Sequence, residues 1–78
     1  MAAAPIKQHA FGTKLWFACL GEWRWGTVEH VNTYFHDDDK DPAVTYVYGL
    51  QVPDVGLTWR DYWQVYTDEA FAVFLLLA

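Results

Sequence analysis

The stretch Trp23-Arg24-Trp25 places two indoles and a guanidinium within three consecutive positions. Aromatic faces attract cations, and Trp, Tyr and Arg are the residue types that anchor protein interfaces. Trp16, Tyr46, Tyr48 and Tyr62 offer further rings, and Asp61 or Glu22 a counter-charge. An aromatic surface of Trp23, Arg24, Trp25, Tyr46, Tyr48 and Tyr62 is therefore the expected binding site, burying flat rings against a protein or peptide. The competing use of such rings is core filling, since each large ring buries ~150–250 Å².

Other residue types capable of chemistry do not assemble into a set. His9, His30 and His36 share no ligand spacing. Asp37, Asp39 and Asp41 alternate like the opening of an EF-hand calcium loop, but the central glycine and the terminal glutamate are missing. A solvated acidic loop is the expected state of that stretch, and no metal is expected. The chain has no serine, and no threonine stands in a nucleophile-elbow context. Cys19 is the only cysteine and falls on an aliphatic strand face, where a buried, inert thiol is expected. No base, nucleophile and oxyanion donor come together, so neither a catalytic residue nor a cofactor is expected.

Charge narrows the partners. Ten acidic residues oppose five basic ones, for a formal charge of −5. Residues 1–34 carry three basic and two acidic side chains; residues 35–78 carry two basic and eight acidic ones. Nucleic-acid binding starts from clustered Lys and Arg, and no such cluster exists. An acidic half fits a basic protein surface instead, so a second class of reading is a nucleic-acid mimic that occupies a basic partner. The start "MAAAPIKQHA" lacks the apolar stretch of a secretory leader, and "FAVFLLLA" is too short to span a bilayer. A cytoplasmic location without membrane contact is the expectation.

These side chains need elements to carry them. Residues 1–12 read as a flexible arm and residues 13–78 as one domain. "TKLWFACL" (13–20) alternates Leu15, Phe17 and Cys19 against Lys14, Trp16 and Ala18, which is strand periodicity. A turn at 21–22 leads to a second strand, "WRWGTVEHV" (23–31), whose interior Gly26 suggests a bulge or bend. After the polar loop 32–43 come "VTYVYGLQV" (44–52), a hairpin connection "PDVG" (53–56) and "LTWRDYWQVY" (57–66). "TDEA" (67–70) reads as one helical turn capped by Thr67, and "FAVFLLLA" (71–78) as a last strand, favoured over a short buried helix. The expected fold is all-β: a small barrel of about five antiparallel strands with one helical turn before the last strand.

In that order of elements the chain resembles the SH3-like small barrels, which include Tudor and KOW modules. The resemblance lies in "FGTKLWF" (11–17), in Trp23, Gly26 and Val28 of "WRWGTVEHV", and in "WQVYTDEAF" (63–71). The Tudor-type second strand implies Gly26 and Val28 inside, Trp23 and Trp25 outside. The chain is also similar to the plasmid-encoded type II dihydrofolate reductases in Phe11-Gly12, Trp25-Gly26 and Gln64-Val65-Tyr66. That likeness implies a shared pore lined by Gln64, Val65 and Tyr66, which would contact NADPH and folate. It departs where the family has a basic residue, here near Phe17, and a serine, here near Tyr62.

The leading expectation is a small non-enzymatic interaction module, of a size that suits an accessory protein of a phage or mobile gene cassette. The reductase-like enzyme and the acidic mimic are the alternatives. The apolar run 71–77 exceeds what one inward face can bury, so Phe71, Phe74, Leu75 and Leu77 are the expected oligomer interface.

Overall fold

A computed structural model of the chain describes residues 7–36 and 43–77. Residues 1–6, Ala78 and the stretch 37–42, with the alternating acids Asp37, Asp39 and Asp41, lie outside the described residues. Four strands form one antiparallel sheet in chain order: β1 (Lys14–Cys19), β2 (Glu22–His36), β3 (Ala43–Val52) and β4 (Gly56–Asp61). A 3-10 turn (Tyr62–Gln64) and a helix, α1 (Asp68–Leu77), follow.

The connections set the register. β1 and β2 are joined by Leu20 and Gly21, with φ of 53° and 77°. Two consecutive positive φ values match the twist of a tight hairpin. Glycine adopts this readily, whereas Leu20 is strained by its Cβ. The loop pairs Cys19 with Glu22 and Trp16 with Trp25. Between β3 and β4, Pro53 presets one turn position and Asp54 takes φ 64°, while the Val55 N–H donates to the Val52 carbonyl at 3.1 Å.

Alternation along these strands gives the sheet two apolar faces. The inner one buries Leu15, Phe17, Cys19, Val28, Tyr48, Leu50 and Val52, together with Val65 from beyond the turn. Val31, Tyr46 and Tyr62 pack at its margin. The Tyr48 hydroxyl accepts the His9 backbone N–H at 2.9 Å, and Gly12 donates to the Val28 carbonyl at 2.8 Å. A bulge does interrupt β2, but at Glu29: Val28 pairs with Leu50 and the next pair is His30 with Gly49. One unpaired residue hands the inward side from Val28 to Val31. Gly26 is needed for closeness rather than for a bulge. A Cβ there would lie 2.9 Å from the Gln51 carbonyl oxygen and 3.0 Å from Val52 Cγ2.

Two expectations are corrected. The sheet has four strands and is not closed, so the five-strand barrel is not what the described residues form. The segment expected as a last strand is helical to Leu77. Pairing with the outer edge of β1 stops after one residue: Trp16 donates to the Tyr66 carbonyl at 2.7 Å and Tyr66 donates to the Trp16 carbonyl at 2.9 Å. Thr67 then starts the helix, its hydroxyl accepting the Ala70 N–H at 3.2 Å, with Asp68 and Glu69 at the positive end of the dipole. Alanine and leucine beyond them favour continuation. A helix also brings Phe71 and Phe74 onto one face, which a strand would not.

Beyond the span of β1 and β4, Thr33–His36 and Ala43–Tyr46 continue as a two-stranded ribbon, on which Phe35 is 80% exposed.

Two substitutions test this account by urea unfolding followed through tryptophan fluorescence. Gly26→Ala is expected to destabilise by about 1–3 kcal/mol, because the opposing atom is backbone and cannot give way. Leu20→Asn is expected to stabilise by about 1 kcal/mol, because asparagine tolerates positive φ.

Candidate functional site

The outer face of β1 and β2 carries Lys14, Trp16 and Ala18 beside Thr27, Trp25 and Trp23. The helix α1 lies on this face. Phe71 stacks on Trp16 with ring centroids 4.8 Å apart and planes 6° from parallel. It also meets the edge of Trp23 at 5.0 Å. Phe74 packs against Trp23 and Tyr66, each at 5.4 Å. Trp16, Trp23, Tyr66, Phe71 and Phe74 thus form a five-ring cluster separate from the inner core.

A small polar clamp fixes the helix start to this cluster. The Trp16 indole N–H donates to Asp68 Oδ1 at 2.7 Å, and Lys14 Nζ lies 3.4 Å from the same oxygen. Lys14 Nζ also sits over two indoles, 4.8 Å from the Trp16 ring and 5.3 Å from the Trp25 ring. A cation held between two indoles and a carboxylate is the arrangement of an aromatic cage. Here the chain's own Lys14 fills it. The Trp16 hydrogen bond is the main cause that holds the Asp68 carboxyl below its ordinary value; partial desolvation opposes it, and Lys14 adds to it.

The six residues expected to form one binding surface are divided by the sheet. Trp23 and Trp25 are outward, as the Tudor-type likeness implied. Tyr48 is fully buried, and Tyr46 and Tyr62 pack on the inner side with it. Burial raises the Tyr48 hydroxyl pKa, and burial lowers that of the His9 ring 5.5 Å away. Arg24 turns back on its own hairpin, with Nη2 3.0 Å from Glu22 Oε2 and Nε donating to the Cys19 carbonyl at 3.3 Å. A shallow groove of about 260 Å³ runs from Trp23, Arg24 and Trp25 to Pro53 and Asp54.

The segment Gln64-Val65-Tyr66 is also divided. Val65 belongs to the inner core. Gln64 and Tyr66 line a second groove, of about 210 Å³, with Ala18, Trp23, Arg60 and Trp63. It lies where β1 and β4 approach without pairing. The Gln64 side-chain carbonyl accepts the Asp61 N–H at 2.9 Å and closes the 3-10 turn. Of the expected interface residues, Phe71 and Phe74 face the ring cluster, while Leu75 and Leu77 are exposed. Among the described residues no three His, Cys, Asp or Glu side chains converge to hold a metal ion. Among the described residues no helix is long and apolar enough to cross a membrane.

Sequence reasoning counted Trp16 among the rings available for a cage but passed over Lys14, Asp68, Arg60 and Trp63. The first two of these had a signal: Lys14 shares a strand face with Trp16, and Asp68 follows a cap residue. Arg60 and Trp63 had none, because their meeting with Ala18 and Trp23 depends on how the sheet curls. The chain matches no family model, and no characterised protein or solved structure is significantly similar to it.

The clamp has a pH signature. A carboxyl with a lowered folded-state pKa contributes stability above the ordinary 3.8, and that contribution is lost as pH falls through the lowered value. Acid titration from about pH 5 to about pH 2 is expected to red-shift tryptophan fluorescence as α1 lifts from Trp16 and Trp23. Asp68→Asn is expected to remove most of the step in that window.

Proposed function

We propose that this protein is a non-enzymatic interaction module that self-associates through the outer side of α1. One observation carries the reading. Beyond Glu69 the helix is entirely apolar, yet only Phe71 and Phe74 are used against the rings. Val73 and Leu75 are half exposed, and Leu76 and Leu77 are 85% and 83% exposed. A helix apolar all round is a buried helix, so this one calls for a cover.

A second copy supplies that cover best. Two helices meeting antiparallel about a two-fold axis bury the same residues on each side and place Asp68 and Glu69 at opposite ends. Each aliphatic side chain then enters twice, at ~1.5–3 kcal/mol when fully buried, against an association cost of about 4–15 kcal/mol. The net acidity of the chain argues against an anionic lipid surface as the cover.

The order of elements supports an SH3-like arrangement within this module. Four meandering strands, a 3-10 turn and a return to β1 at Tyr66 follow the chain path of those barrels, with the last strand reduced to a single bridge. Trp25, half exposed beside the filled cage, and the groove beneath it offer room for a protein or peptide segment.

Light scattering after size exclusion tests the proposal. Wild type is expected to run as a concentration-dependent dimer, and Leu76→Lys as a monomer of 9.1 kDa with unchanged circular dichroism. A wild-type monomer throughout would overturn it. Saturable NADPH binding by the wild type would replace it with the reductase reading.

A further inference from the structure

The geometry points to a ligand site in the groove between β1 and the corner of β4, one that takes a carboxylate carried on a flat apolar body, such as a one-ring aromatic acid. The site centres on Arg60. Its guanidinium lies over the Phe17 ring, 5.3 Å from the centroid. Nε and Nη2 donate to the Ala18 carbonyl at 3.4 and 3.3 Å, and Nη1 donates to the Trp59 carbonyl at 2.7 Å. One ring and two carbonyls from two strands thus hold the group in one orientation.

Those bonds use three of the five N–H groups of a guanidinium. One N–H on each terminal nitrogen has no protein acceptor among the described residues. Two such donors in a rigid plane match the two oxygens of a carboxylate. The other cations at the sheet are satisfied: Lys14 pairs with Asp68 and Arg24 with Glu22. Among the described residues no carboxylate lies within ion-pair distance of Arg60. In a chain with twice as many acids as bases, a guanidinium with no carboxylate partner among the described residues stands out at a groove.

The walls specify the rest of the ligand. Trp23, Trp63 and Tyr66 line the groove with the small Ala18, and Trp63 is 64% exposed, free to stack on a bound ring. Gln64 Oε1 is engaged by the Asp61 N–H, which leaves its amide nitrogen as a donor. Donors and flat rings thus predominate, and the acceptor carbonyls of Ala18 and Gln64 are already engaged, by Arg60 and by the Asp61 N–H. The volume, about 210 Å³, is below the range of drug-sized pockets and suits a single ring system. A phosphate dianion fits less well, since one guanidinium would face two charges within an acidic protein.

Titration of phenylacetate, followed by tryptophan fluorescence and by the Arg60 Nε–H and indole N–H resonances, tests the site. Binding is expected to saturate, with shifts at Arg60, Trp23 and Trp63. Phenylacetamide, which lacks the charge, is expected to bind about tenfold more weakly or worse. Arg60→Lys keeps the charge but loses the fork, and is expected to weaken binding about tenfold. Since Arg60 also ties β4 to β1, Trp63→Ala provides an independent variant at an exposed position. It is expected to weaken phenylacetate binding with the unfolding midpoint unchanged. Equal binding of the amide, absence of saturation, resonance shifts confined to other residues, or stronger binding of inorganic phosphate would each overturn the assignment.

Discussion

Two backbone hydrogen bonds, exchanged between Trp16 and Tyr66, are the joint on which the rest of the molecule depends. They attach the chain after β4 to the outer edge of β1 at a single residue. On one side of the joint the chain has come through the 3-10 turn, which leaves Val65 in the inner core and Gln64 at the groove. On the other side it launches α1 over Trp16. Had the pairing continued, Asp68 would have come opposite Lys14 as a strand residue. Instead its side chain accepts from Trp16 and attracts Lys14, so the carboxylate does at the helix start what a backbone ladder would have done.

The joint also explains how a chain this short gains a second layer. A small domain without a disulfide has little apolar area to bury, and one core on one side of a sheet is a weak basis for stability. The alternation of β1 and β2 gives apolar residues to both sides, with Leu15, Phe17 and Cys19 inward and Trp16, Trp23 and Trp25 outward. The helix turns the outward set into a second cluster. The same face carries Lys14, whose charge is spread over two indoles and neutralised by Asp68. The cage-like chemistry of these rings thus serves the fold first, and the guanidinium without a carboxylate partner among the described residues reaches β1 from β4, at the other end of the strand order.

Local chemistry was legible in the sequence; the long-range part was not. The period of two in 13–20 identified β1 and its inward face; the facing of β2 was open from the residues alone, and only the Tudor-type likeness implied Gly26 and Val28 inside. Thr67 with Asp68 and Glu69 marked a helix start. The helix itself was hidden because 70–77 is apolar at every position, and such a run carries neither period. The bulge fell on Glu29, a residue with no local signature, rather than on the glycine that drew attention; Gly26 answers to a carbonyl on β3, which no local pattern encodes. For the same reason Tyr46, Tyr48 and Tyr62 looked like candidates for an exposed site. Strand alternation placed the three within reach of one another, but only the curl of the sheet decides that their side is the inside.

The period of α1 separates two roles within one apolar run. Phe71 and Phe74 are three positions apart, so they meet the same rings on β1 and β2. Leu76 and Leu77 fall on the remaining arc, where they do nothing for the monomer. Exposed leucines are therefore not a by-product of docking the helix, since polar residues there would leave both phenylalanines in place. An apolar residue at each of those positions makes sense when the outer arc has its own surface to meet. On the proposed self-association, folding and association would draw on different side chains of a single helix, with the Asp68 clamp fixing the orientation of both.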